Sequence, residues 1–458
     1  MYSVTKGLKA YWATAMNKID QNQKDEIARH LRSLAGSVTE LPVLGRVTKI
    51  LGSVIRASLS DALIGEECIL VDPVTKKTLH AAVIGMDKNE VILVPSGSID
   101  GLSVRAQVVR TGRQPMAPCG KDLLGRVVDA FGEALDGKEK ITTFTDLKRD
   151  PPQAMKRTII DTPFETRIRA IDGMLTIGRG QRIGIFGSAG VGKSVLLSEI
   201  IKGALVDVIV VGLIGERGRE VAEFIQNNLG AEGLKKACLF VATADRPPAE
   251  RLRAAYSATA AAEQFRDEGL SVLLLIDSAT RVARATREIG LAAGELPVRR
   301  GFPPSTFTLL PELLERAGTS DKGAITAIYT VLVEGDNDDA DPVADELRSL
   351  LDGHIILSRK LAAKNHYPAI DVSRSKSRVM GAVVDAEHGA SASKLGSYIA
   401  KLNEIELLLQ VGEYKPGGDP LADIAVEKQS EIFEFLQQTP GEFTDFQDSK
   451  SRLIRVVS

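Results

Sequence analysis

Eight consecutive residues, Gly187-Ser188-Ala189-Gly190-Val191-Gly192-Lys193-Ser194, have the types and spacing of a Walker A phosphate-binding loop. Its glycines let backbone N–H groups converge on phosphate oxygens without a Cβ in the way, and a following helix adds the positive end of its dipole. Lys193 would neutralise the β and γ phosphates of a nucleoside triphosphate, and Ser194 would hold Mg²⁺ through its hydroxyl. The run Ile183-Gly184-Ile185-Phe186 before the loop reads as a strand and Val195-Leu196-Leu197 after it as a helix. That context separates a nucleotide site from a glycine-rich turn with an incidental lysine.

Two carboxylates complete the chemistry. Val272-Leu273-Leu274-Leu275-Ile276-Asp277 is an apolar strand ending in an acid, the form needed to orient Mg²⁺ beside a phosphate loop. Read alone, Asp277 or Ser278 serves equally as the N-cap of the next helix; the loop upstream favours the metal role. A second strand, residues 208–214, ends in Gly215-Glu216-Arg217-Gly218-Arg219-Glu220. In a parallel sheet that end lies on the same edge as the loop, so Glu216 is placed to polarise an attacking water. A solvated charge run making salt bridges at a helix start is the other reading of this segment.

These residues need a scaffold, and the composition is that of a globular protein. The chain has 458 residues, 44% hydrophobic and 26% charged, with a formal net charge of -2. At about 150 residues per domain this suggests roughly three domains. The balanced charge argues against a whole-molecule partner such as nucleic acid or an anionic membrane. Cys68, Cys119 and Cys238 and the five histidines are scattered, so a zinc site is not expected. No secretory signal and no apolar run of membrane-spanning length is read, and a cytoplasmic location is expected.

Residues 1–40 read as a helical segment with Ile27, Leu31 and Leu34 on one face. From 41 to about 110, short β-branched runs at 43–50, 53–59, 68–71, 81–86, 91–94 and 103–109 suggest a small β-barrel. Residues 111–161 read as a connector with little regular structure. Apolar strands at 182–186, 208–214, 238–242, 272–276, 325–333 and 354–357 alternate with helical patterns, which implies an α/β core with a parallel sheet covered on both faces. The core and its connector occupy 111–390. Residues 391–458 read as helical, with helices at 391–410 and 419–438 around Pro416-Gly417-Gly418.

Taken together, the loop, the 215–220 segment, Glu288-Ile289-Gly290-Leu291-Ala292-Ala293-Gly294-Glu295, Arg299-Arg300-Gly301-Phe302-Pro303-Pro304-Ser305 and Val333-Glu334-Gly335-Asp336 resemble the export ATPases of type III secretion systems. That family is similar in turn to the catalytic subunit of rotary F-type ATP synthases. The resemblance spans about 41–412 and implies a RecA-like ATPase core between an N-terminal β-barrel and a C-terminal helical domain, assembled as a homohexamer. It implies that Lys193 and Glu216 are catalytic and that ATP and Mg²⁺ are the ligands. It matches Tyr367, beside Pro368, to an aromatic residue that packs on adenine, although a core tyrosine at a turn is the plainer alternative. It matches Arg378 to an arginine that enters the neighbouring subunit's site, with Arg374 and Lys376 as rival cations because Ser373 and Lys376 depart from the family's usual apolar residues. Residues 298–301 match a loop facing the ring channel.

The implied partners are a central stalk protein, a stator regulator docking the N-terminal segment, chaperone–effector complexes, and an export gate that holds the ATPase peripherally at the inner membrane. Phrases such as Ser358-Arg359-Lys360-Leu361-Ala362-Ala363 and Glu406-Leu407-Leu408-Leu409 look more like the injectisome branch than the flagellar one. A non-catalytic ring subunit is disfavoured by Glu216, and a rotary ATP synthase subunit by those phrases. An RNA translocase is disfavoured because residues 41–109 contain no Phe, Tyr or Trp on which bases could stack.

Overall fold

Alternation of buried and exposed side chains rolls the first part of the protein into a closed barrel. In the computed structural model, which describes residues 44–88, 90–333 and 341–458, six strands pair in the order β1-β2-β5-β4-β3-β6. They are β1 (Leu44–Leu51), β2 (Val54–Ser58), β3 (Glu67–Val71), β4 (Thr78–Asp87), β5 (Glu90–Ser96) and β6 (Gln107–Arg110). Val47, Ile55, Ala57, Cys68, Leu70, Val83, Leu93 and Val108 point inward, so one face of each strand fills the barrel and leaves no free edge. The 1–40 segment and its apolar face lie outside the described residues, as do Glu334, Gly335 and Asp336.

The second unit is a sheet whose strands are apolar on both faces. Its strands are β7 (Arg126–Val128), β8 (Arg182–Gly187), β9 (Val208–Ile214), β10 (Ala237–Ala242), β11 (Ser271–Asp277), β12 (Ala324–Leu332), β13 (Gly353–Ile356) and β14 (Lys376–Ser377). The spatial order is β14-β13-β8-β12-β11-β9-β10-β7, with the short Gly318–Thr319 strand beside β12. Every pair from β13 to β7 is parallel. Every residue of β9, β10 and β11 is buried, as a sheet covered by helices on both faces requires. The register sets Leu213 opposite Asp277 and Gly187 opposite Leu332. The C-terminal ends of β8, β9, β11 and β12 therefore share one edge.

Residues 111–161 carry only short elements, but one of them, β7, is a strand of the main sheet, with Arg126, Val127 and Val128 beside Cys238, Leu239 and Phe240 of β10. A three-residue strand has too little alternation to stand out in sequence. Beyond the sheet the chain is helical, with α1 (Ala386–Val411), α2 (Pro420–Glu427), α3 (Gln429–Leu436) and α4 (Phe446–Val457). The helix expected over 419–438 is divided at Lys428, and α4 carried no distinct signal.

A buried ion pair ties the covering helix Pro248–Asp267 to the turn that follows the helix Pro304–Leu314. Arg316, 1% exposed, donates from Nε and Nη2 to the two oxygens of Glu263, which is fully buried, at 2.9 and 2.7 Å. Removing Arg316 leaves the buried Glu263 carboxylate only a long 4.0 Å contact with Arg149. Arg316→Met is expected to cost about 3–5 kcal/mol of unfolding free energy, read from the urea midpoint. Paired replacement by Arg316→Met with Glu263→Leu is expected to recover most of that loss.

Candidate functional site

The loop between β8 and the helix Lys193–Gly203 adopts a conformation that only its glycines permit easily. Gly190 and Gly192 have φ of 83° and 88°, the left-handed region where a Cβ is strained. This turn sets Lys193 at the first position of the helix. Its Nζ donates to Asp277 Oδ1 at 2.7 Å. Thr330 Oγ1, on the neighbouring β12, donates to the same oxygen at 2.6 Å. Asp277 is buried, so both hydrogen bonds act with little competition from water.

Glu216 stands across the cavity. Gly215 N–H donates to Ala242 O and Ala244 N–H to Glu216 O, at 2.6 and 3.0 Å, which fixes its backbone at the end of β9. Arg281 Nη2 donates to Glu216 Oε2 at 3.2 Å, and Arg281 also donates to Gly215 O. Burial, then the negative charge of Asp277, then a hydrogen bond shared with Glu220 push the Glu216 carboxyl up to about 7, against the opposing pull of Arg281 and Lys193. Ser188, Ala189, Gly190, Gly192, Lys193, Ser194, Glu216, Asp277 and Arg281 line one cavity of about 530 Å³. A carboxyl poised near neutrality, a cation and a hydroxyl-carboxylate pair facing one space can take up a phosphate chain, a divalent ion and a water whose proton needs an acceptor.

A second recess, about 320 Å³, lies on the other side of the loop. Gly190, Gly192, Val195, Leu357, Tyr367, Pro368 and residues 438–440 line it. A Cβ on Gly192 would sit 3.3 Å from the Tyr367 ring, so the tyrosine lies directly against the loop. The recess accepts a flat apolar group, while the other cavity accepts charge.

Thus Gly187 to Ser194, Glu216 and Asp277 gather at one edge of the sheet, with Tyr367 just beyond the loop. Arg378 does not join them. It is exposed, its N–H donates to Asp352 O at the start of β13, and its side chain donates to Arg348 O at 3.1 Å. Since Asp352 precedes a strand parallel to β8, Arg378 lies toward the opposite edge from the loop. Sequence reasoning missed Arg281 and Thr330 as site residues. Arg281 stands four positions after Asp277, where the helix Ala279–Ala293 opens, a placement that could have marked it. Thr330 offers no local signal, because only strand register brings it beside Asp277. Among the described residues no cluster of three His, Cys, Asp or Glu side chains suits a metal ion, and no helix is long and apolar enough to cross a membrane.

Comparison with known proteins agrees with this layout. The family model for the ATP synthase alpha/beta family, nucleotide-binding domain, matches residues 167–377. The beta-barrel domain of the same family matches 47–112, and the T3SS EscN ATPase C-terminal domain matches 384–455. The chain is 51% identical over 444 residues to a type 3 secretion system ATPase of Sinorhizobium fredii, covering 96% of this chain and 98% of the relative. It is 44% identical over 451 residues to a flagellum-specific ATP synthase of Pseudomonas aeruginosa, covering 95% and 98%. Among solved structures it is similar to the assembled ATPase EscN in complex with its central stalk EscO, from the enteropathogenic E. coli type III secretion system. That match has a TM-score of 0.82 and 45% identity, and covers 90% of this chain and all of the other.

The raised Glu216 carboxyl generates a stability prediction. In the fold it stays protonated up to about pH 7, whereas in the unfolded chain it ionises above about pH 4.3. The native state thus holds the extra proton in that window, and stability falls as pH rises through it. Glu216→Gln is expected to be more stable than the wild type by up to about 3 kcal/mol at pH 8, shrinking to under about 1 kcal/mol by pH 4.5. Urea melts at the two pH values read the difference; equal midpoints at pH 8 would contradict it.

Proposed function

The chain belongs to the type III secretion system ATPases within the ATP synthase alpha/beta family, and on that premise we propose how its residues divide the work of hydrolysing ATP to drive protein export. The observation that carries the reading is the single cavity in which Lys193, Ser194, Asp277 and Glu216 meet. Lys193 exchanges its carboxylate partner for the triphosphate. Gly187 to Ser194 wrap the phosphates with backbone N–H groups. The Ser194 hydroxyl and the Asp277 carboxylate, hard oxygen donors facing one space, are the residues that would hold Mg²⁺, which when bound would neutralise phosphate charge.

Glu216, once ionised, accepts the proton of the attacking water, and Arg281 holds that carboxylate in place. The adenine ring packs in the recess beside Tyr367. Arg378 serves the pocket of the next copy in a ring of six, where its charge stabilises the transferring phosphoryl group. Its distance from its own loop edge and its exposure support action in trans.

The work is coupled to export: release of chaperones from secretion cargo, unfolding of that cargo, and delivery to an export gate. The ATPase is cytoplasmic and peripheral to the inner membrane there, with a stator regulator on its N-terminal segment and no nucleic-acid partner. The similarity to EscN in complex with its stalk EscO supports a central stalk protein as partner. Exposed Leu296, Val298 and Arg300 offer that stalk a contact. Identity of 51% to a secretion ATPase against 44% to a flagellar one favours the injectisome branch; a flagellar export ATPase is the second reading.

The test is ATPase activity against protein concentration. Specific activity is expected to rise with concentration as rings form, to vanish with nucleotide binding in Lys193→Ala, and to vanish with binding retained in Glu216→Gln. Arg378→Ala is expected to bind nucleotide normally while losing about 10³-fold in turnover. Concentration-independent activity, or full turnover by assembled Arg378→Ala, would remove the shared-site reading.

A further inference from the structure

A strap formed by residues 357–370 passes both faces of the phosphate loop. Its two ends pair with each other: Leu357 bridges Ile370, and Ser358 N–H donates to Ala369 O at 2.9 Å. Leu357 N–H also donates to Phe186 O at 2.8 Å, tying the strap to the strand that enters the loop. Near one end Tyr367 lies against Gly192. Near the other, Arg359 Nε donates to Ser188 Oγ at 2.5 Å. Ser188 is the second residue of the loop and is itself buried.

Nothing in the ATP reading uses Arg359, an exposed arginine whose guanidinium reaches in to a buried hydroxyl of the phosphate loop. Among the described residues it has no acidic partner, and Ser188 is its sole side-chain hydrogen-bond partner. The helix it opens, Arg359–Ala363, is braced from the other side. Lys360 and Lys364, one turn apart, both bind the carboxylate of Glu406 on α1, Lys364 at 2.5 Å. Beneath this helix, Leu361, His366, Leu402 and Phe433 line a cavity of about 580 Å³. The two ends of the strap are thus anchored in the core through Leu357 and Ile370, while the helix between them stands over this cavity and is held by the Arg359–Ser188 contact on one side and the Glu406 contacts on the other.

We propose that Arg359 is a positioning residue for the ATP reaction: its guanidinium holds the Ser188 end of the phosphate loop in the form that receives the triphosphate, and the Glu406 clasp on α1 holds Arg359. The proposal rests on the ATP reading of the same loop. By reciprocity of coupled sites, nucleotide in the loop then tightens the contact between the strap and the C-terminal helices.

The experiment measures the dissociation constant of a fluorescent ATP analogue, and KM, on the full chain. Arg359→Ala is expected to weaken nucleotide binding about 10-fold. Arg359→Lys is expected not to restore it, because an ammonium lacks the planar Nε donor. In a Ser188→Ala background, Arg359→Ala is expected to add little further loss, the signature of one shared interaction. Glu406→Gln, far along the chain from the loop, is expected to raise KM about 3-fold, whereas Lys401→Gln, which breaks other ion pairs on α1, leaves it unchanged. Wild-type affinity in Arg359→Ala, full rescue by Arg359→Lys, additive losses with Ser188→Ala, or an unmoved KM in Glu406→Gln would each overturn the proposal. Failure of the wild type to bind the analogue would instead remove the ATP reading, and this inference with it.

Discussion

The 2.7 Å contact between the Lys193 ammonium and Asp277 Oδ1 joins the two strands on which the whole site is built. One group comes from the loop after β8, the other from the end of β11, and β12 lies between those strands and lends Thr330 to the same oxygen. A buried pair of this kind contributes little net stability after desolvation. Its value lies in position: each charge is kept ready, in a water-poor place, for a partner of opposite sign. A triphosphate offers the ammonium more negative charge than one carboxylate does, so the pair is the natural latch for that ligand. The parallel sheet is the means of bringing its members to one edge.

The same burial governs Glu216. Packed between Asp277 and Arg281 at the end of β9, its carboxyl is held near neutrality by lost hydration and by a like charge, and kept from rising further by two cations. In the proposed role of base, a carboxyl half-ionised near neutral pH gives up some fold stability for readiness to take a proton. Function and stability oppose each other at one residue, and the apolar strands behind it supply the stability that makes this tolerable.

Much of this was legible in sequence for a physical reason. Gly187 to Ser194 is a contiguous motif, and Asp277 and Glu216 each end an uninterrupted apolar strand, so local spacing carried their placement. The barrel was legible through period-two alternation, and the sheet through β-branched runs between helical patterns. What escaped was either too short or too distant along the chain. The strand Arg126–Val128 is three residues long; Thr330 meets Asp277 only through register; Arg359 reaches Ser188 across 171 positions. Residues 438–440, which wall the recess beside Tyr367, come from the C-terminal helical part, and no periodicity announces such a return. Arg378 was legible by resemblance alone, and the single chain places it away from its own loop.

The most direct measurement is a crystal structure with a non-hydrolysable ATP analogue bound. Lys193 Nζ is expected to have left Asp277 for a phosphate oxygen, with the triphosphate in the turn of Gly187 to Ser194 and Glu216 facing its terminal phosphate. An analogue seated elsewhere, with the Lys193–Asp277 contact still closed, would contradict it.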